Sequence, residues 1–108
     1  MGNAMITGQT GAAGSSEVII GTATIDSTNI ATKPVVIAKK KPVKGFIHYI
    51  STLGIMPFQA ELIDGTTYTL YTNTTQITIY LKVTATSLEF YRTGSNTGTH
   101  GLYYLFFF

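Results

Sequence analysis

The chain ends in Gly101-Leu102-Tyr103-Tyr104-Leu105-Phe106-Phe107-Phe108, seven consecutive apolar or aromatic residues behind one glycine. In an extended strand successive side chains point to opposite faces. Leu102, Tyr104, Phe106 and Phe108 therefore share one face, and Tyr103, Leu105 and Phe107 share the other. Both faces are apolar. Burying one large side chain is worth about 1.5–3 kcal/mol, so leaving three in water forfeits an amount comparable with the roughly 5–15 kcal/mol stability of a whole domain. Such a strand lies at the centre of a sheet or beneath another subunit. A chain of 108 residues has room for one core, and sheets of that size keep solvent-facing outer sides. The second solution is therefore favoured: a homo-oligomer whose interface is the row Leu102, Tyr104, Phe106 and Phe108.

The rest of the sequence reads the same way. No window carries a helical period, whereas Ile77, Ile79, Leu81 and Val83 alternate with Gln76, Thr78, Tyr80, Lys82 and Thr84 over 76–84, the pattern of a half-buried strand. Runs rich in β-branched and aromatic residues predict further strands near 17–25, 34–38, 43–52, 57–64, 66–73, 86–93 and 101–108. Asp64-Gly65 predicts a two-residue hairpin turn between two of them. The expectation is an all-β chain, an antiparallel β-sandwich or jelly roll of about eight short strands. A small closed barrel is the alternative. Residues 1–16, with four glycines and no charge, read as a flexible arm ahead of a single domain over 17–108.

Charged residues make up only 11% of the chain, against about 25% in ordinary soluble domains, so Thr, Ser, Asn, Gln and Tyr supply the polar surface. A net charge of +2 argues against nucleic acid. Five of the seven basic residues fall within Lys33–Lys44, making Lys39, Lys40, Lys41 and Lys44 a candidate contact for an acidic partner, against the plainer reading of a solvated strand edge. The absence of cysteine excludes disulfides, thiolate metal sites and a cysteine nucleophile. The first sixteen residues lack the basic and apolar regions of a secretory leader. No stretch reaches the roughly 18 apolar residues of a membrane helix, and the Thr-rich strands lack the lipid-facing band of an outer-membrane barrel. Membrane insertion is not expected.

Chemistry is sparse. His48 and His100 stand far apart with no metal-binding spacing, phosphate loops and serine-nucleophile motifs are missing, and nothing in the spacing of Glu61 and Glu89 requires a catalytic pair. No catalytic residue, metal or cofactor is expected. Two features suit binding. One is the polar, glycine-hinged segment 91–100, where Tyr91, Arg92, Asn96 and His100 place an aromatic ring, a cation, an amide and an imidazole near one loop, as shallow sugar sites do. The other is the uncharged arm, suited to lying along a neighbour.

Gly21-Thr22-Ala23-Thr24-Ile25, Lys33-Pro34-Val35-Val36-Ile37, the Thr/Tyr hairpins and the closing Gly101-Leu102-Tyr103-Tyr104 strand resemble the small β modules of tailed-bacteriophage virions, found in tail fibres, tail tips and capsid surfaces. The closing aromatic strand also resembles that of trimeric tumour-necrosis-factor-like jelly rolls, which implies a trimer. The resemblance implies a non-enzymatic virion protein, assembled in the host cytoplasm. It would be displayed as a tail, fibre or head-surface attachment module, joined to other virion proteins through the arm and contacting a host surface glycan. A capsid decoration (cement) protein and a carbohydrate-binding module are the alternatives.

Overall fold

The computed structural model describes residues 18–50, 54–55, 59–73 and 76–108; the arm expected over 1–16 lies outside them. The chain is all-β, with no helix among the described residues. Seven strands of four to eight residues form: β1 (Val18–Ile25), β2 (Val35–Ala38), β3 (Gly45–Ile50), β5 (Thr67–Asn73), β6 (Ile77–Val83), β7 (Ser87–Thr93) and β8 (His100–Phe107), with a two-residue β4 (Gly54–Ile55) beside β3. They make two antiparallel sheets, ordered β1-β8-β3-β4 and β2-β7-β6-β5.

Alternation determines what each sheet buries. In β6, Ile77, Ile79, Leu81 and Val83 are buried, and in β7 Leu88 and Phe90 join them. The first sheet meets this layer with Ile25, Phe46, Leu102 and Phe106, all fully buried in the same cluster. Phe46 packs at 6.2 Å from Phe90 between ring centroids, and Phe90 at 6.1 Å from Tyr104, so one aromatic layer joins the sheets. A register shift between Thr69 and Tyr71 supplies a β-bulge. It turns both Leu70 and Tyr71 toward the core, which strict alternation forbids.

β8 lies inside the first sheet, hydrogen-bonded to β1 on one side and β3 on the other. Its inward row is Leu102, Tyr104 and Phe106, continued by Phe108, with Leu102 and Phe106 at 0% exposure. The expected oligomer interface on Leu102, Tyr104, Phe106 and Phe108 is thereby corrected: those residues face the chain's own second sheet. The opposite row, Tyr103, Leu105 and Phe107, faces away from the core.

The segment expected as a strand over 57–64 also differs. Among its described residues Gln59 forms an isolated bridge with Phe46 and the Leu62 amide donates to the Val43 carbonyl at 3.0 Å, but 60–63 form no strand. Asp64-Gly65 does turn, with Gly65 at φ +87° and the Thr66 amide donating to the Ile63 carbonyl at 3.2 Å. It leads into β5 from an irregular segment rather than closing a hairpin.

The sidedness of β8 can be tested by truncation. Phe106→Ala should cost about 3–5 kcal/mol, as for a fully buried phenylalanine. Phe107→Ala should cost less, about 1–2 kcal/mol, since its half-buried ring covers Gly45 on the outer face. Urea unfolding midpoints of the two variants give the comparison.

Candidate functional site

The loop over 94–99 joins β7 of one sheet to β8 of the other, and Arg92 holds it down. As the next inward residue after Leu88 and Phe90, Arg92 is 1% exposed. Its Nη1 donates to the Gly98 carbonyl at 3.0 Å and its Nη2 to the Asn96 carbonyl, while its own amide donates to Asn29 O at 2.8 Å. Gly94 starts the loop at φ +113°, where a Cβ would run into the backbone of Gln76 and Ile77. Asn96 uses its side-chain oxygen within the loop, accepting from the Gly98 amide at 2.6 Å.

These contacts dismantle the binding site expected from sequence. Tyr91 and Arg92 are consecutive in a strand, so they leave β7 on opposite faces. Arg92 is a structural clamp whose guanidinium serves loop carbonyls. Tyr91 stands on the outer face of the second sheet, stacked on Tyr80 with 5.0 Å between centroids and 24° between planes. His100 is half-buried at the start of β8, its pKa lowered first by burial and then by the Arg92 charge. Arg92, Asn96 and His100 thus gather at the loop, with the guanidinium occupied by loop carbonyls, and Tyr91 lies apart on the opposite face. Alternation carried the missing signal, since Leu88, Phe90 and Arg92 share one parity and Glu89 and Tyr91 the other.

The lysine cluster separates as well. Lys39 is 5% exposed, and its Nζ donates to Asp64 Oδ1 at 2.9 Å and to the Ala85 carbonyl at 3.3 Å, fastening the 64–65 turn against the 84–86 turn. Lys41 extends over the Phe108 ring, 5.6 Å from its centroid. Lys40 and Lys44 are exposed. Lys39 is therefore not available to a partner, because its ammonium is sealed in an internal ion pair.

His48 sits on the inward face of β3, opposite Tyr104 in register, and stacks on Phe46 at 5.6 Å. It is 1% exposed, and neither ring nitrogen has a hydrogen-bond partner. Burial lowers its pKa from 6.5 to about 4, so the ring is neutral across the ordinary range. Asp26 accepts from the Thr28 amide and hydroxyl at 2.8 and 2.6 Å, which lowers its pKa and assigns it to a turn. No group of three or more metal-binding side chains occurs among the described residues.

What remains are two outer sheet faces of opposite character. On the first sheet, Val18, Ile20, Ile47 and Tyr103 are exposed, Ile20 to 73%, and they surround Leu105 and Phe107. The Phe107 ring lies across Gly45, at a place where a Cβ on residue 45 would overlap it. A shallow depression in this face is lined by Ile20, Thr22, Ile47, Tyr103 and Leu105. On the second sheet the outward positions are Thr67, Thr69, Thr72, Thr78, Tyr80, Lys82, Glu89, Tyr91 and Thr93, with Val36 and Ala38 on the edge strand β2. No protein-family model matches this chain, and no curated protein or solved structure matches it either.

The buried histidine makes an acid-stability prediction. Above pH 6.5 the imidazole is neutral whether the chain is folded or not. Between pH 6.5 and about 4 the unfolded chain takes up a proton that the native chain refuses, so stability falls by about 3 kcal/mol and then levels off. His48→Leu should match or exceed wild-type stability at pH 7.5, because it removes two unsatisfied nitrogens. It should also lose less than the wild type on acidification, as read from urea midpoints across pH 4–8. His100 contributes equally to both proteins and cancels in the comparison.

Proposed function

We propose that this protein is a non-enzymatic structural module: a small antiparallel β-sandwich, jelly-roll-like in its nested β1-β8-β3 and β2-β7 pairings, that works by assembly. The observation that carries this reading is the outer face of the first sheet. Val18, Ile20, Ile47, Tyr103, Leu105 and Phe107 form a contiguous apolar surface with no charged residue among them. Across three strands about 4.8 Å apart and along the five residues Tyr103 to Phe107 it spans roughly 14 by 17 Å. The largest apolar patch on a small protein is often a functional one. An uncharged face offers nothing for an acidic or basic partner to match. It is complementary to another flat apolar sheet, and a second copy of the chain supplies one. A homo-oligomer follows, with a trimer favoured by the resemblance of its closing strand.

The fold's chemistry supports a non-catalytic role. Its buried ionisable side chains are used internally: Arg92 clamps a loop, Lys39 ties two turns and His48 is sealed in the core. The setting rests on the sequence resemblance to tailed-phage modules. The protein would sit on a virion, assembled in the host cytoplasm, as a tail, fibre or head-surface attachment module, with capsid decoration as the second placement. Antiserum labelling of purified particles would separate the placements, since a tail module labels the tail alone and a decoration protein labels the head lattice. Absence from every particle would remove both.

The assembly is directly measurable. Light scattering on the wild-type chain should report an oligomer, and Ile20→Lys or Leu105→Lys should give a folded monomer with an unchanged circular dichroism spectrum. A monomeric wild type overturns the assembly reading.

A further inference from the structure

The outer face of the second sheet differs from that of the first in turning mostly Thr, Tyr, Lys and Glu outward. Tyr80 on β6 and Tyr91 on β7 are direct cross-strand partners, and their stacked rings stand near the middle of that face, each half-buried. Tyr68, Tyr71 and Tyr104, by contrast, pack against the core. The neighbours of the pair on β5, β6 and β7 are polar, and the edge strand β2 adds one exposed apolar residue, Val36, opposite Glu89. Thr69 lies opposite Tyr80 on β5, and Thr78 and Thr93 face each other two positions along in one direction. Lys82 and Glu89 face each other two positions along in the other direction. Lys82 and Glu89 carry opposite charges in register, yet no ion pair joins them. Glu89 Oε2 instead accepts from the Ser87 hydroxyl at 2.8 Å, and Lys82 extends into solvent.

We infer that this face is a saccharide-binding platform centred on Tyr80 and Tyr91. A pyranose is amphiphilic in the same sense as the face. Its axial C–H bonds form an apolar side that stacks on an aromatic ring, and its hydroxyls radiate around the rim as donors and acceptors. Because Tyr80 and Tyr91 stack on one another, the ring faces turned away from that contact supply the stacking surface, with Lys82 a charged donor, Glu89 Oε1 a charged acceptor, and Thr69 and Thr93 hydroxyls that both donate and accept; the Thr78 hydroxyl already shares a hydrogen bond with that of Thr72 at 3.0 Å. One cation beside one anion selects a neutral sugar over a sulfated or acidic one. β-Linked glucose or galactose units present the unbroken apolar side that such a ring pair requires. Affinity on an open face is modest, and repetition in an oligomer multiplies it. The platform does not depend on assembly through the first sheet, because the two faces lie on opposite sides of the core.

Cellobiose and lactose titrated into the wild-type protein should shift the Tyr80 and Tyr91 ring resonances saturably, with little dependence on salt. Tyr91→Thr and Tyr80→Thr, chosen to keep strand propensity, should each weaken binding about tenfold, on the scale of one lost aromatic contact. Tyr91→Phe should retain most of it. Asn96→Ala, in the loop, should leave it unchanged. Thermal melts confirm that each variant is folded, and if Tyr80→Thr is not, the Tyr91 pair of variants decides alone. No shift with either sugar overturns the inference. So does affinity that survives the folded Tyr→Thr variants, or a salt-sensitive response to single-stranded DNA in place of the sugars. A protein that fails this test while remaining oligomeric loses only the platform, and a sugar-binding monomer loses only the assembly reading.

Discussion

Strand β8 has to be sheltered on both edges, and the rest of the molecule is arranged to do so. β1 and β3 both pair with it in unbroken antiparallel register, from Val18 opposite Phe107 to Ile25 opposite His100, and from Gly45 opposite Phe107 to Ile50 opposite Leu102. Ile19, Phe106 and Phe46 therefore fall in one row, and the aromatic layer of Phe46, Phe106, Tyr104 and Phe90 connects that row to the second sheet. These contacts join residues far apart in sequence, so the chain closes long loops before the core gains its burial energy.

Centring β8 protects its inward row but not its outward one. Every strand of a two-layer structure has a side turned away from the core, and each sheet here treats that side differently. The first sheet lines it with Val, Ile, Leu, Tyr and Phe, giving way to Thr22 and Thr24 along β1. The second lines it mostly with Thr, Tyr, Lys and Glu, with Val36 and Ala38 on its edge strand. Apolar surface gains by leaving water and hydroxylated surface gains by hydrogen bonding, which suits the first face to a copy of the chain and the second to a hydroxylated ligand.

The buried polar residues show how a chain with few charges uses them. Arg92 and Lys39 each satisfy buried N–H donors on carbonyls of turns, and Lys39 also has a counter-charge in Asp64. The bonds hold the 94–99 crossover loop and the 64–65 turn in place. His48 is the exception, since it gives up the solvation of both ring nitrogens and gains only its stacking on Phe46.

Alternating apolar residues in a strand specify which side chains share a face, because the pleat repeats every two residues. That local rule, with the runs of β-branched and aromatic residues, determined the all-β class, the strands near 17–25, 34–38, 76–84 and 86–93, and the two-sided nature of Leu102–Phe108. It also held the opposition of Tyr91 to Arg92, which the loop reading passed over. Strand pairing is not local. No rule along the chain states that β8 lies between β1 and β3, that its even-numbered row faces inward, or that Tyr80 stands beside Tyr91. Nor does any state that 60–63 leaves the ladder, or that Lys39 reaches Asp64. Sequence determined what each strand offers on its two faces, and only the tertiary structure decided which face was buried, because burial depends on the sheet that packs against it.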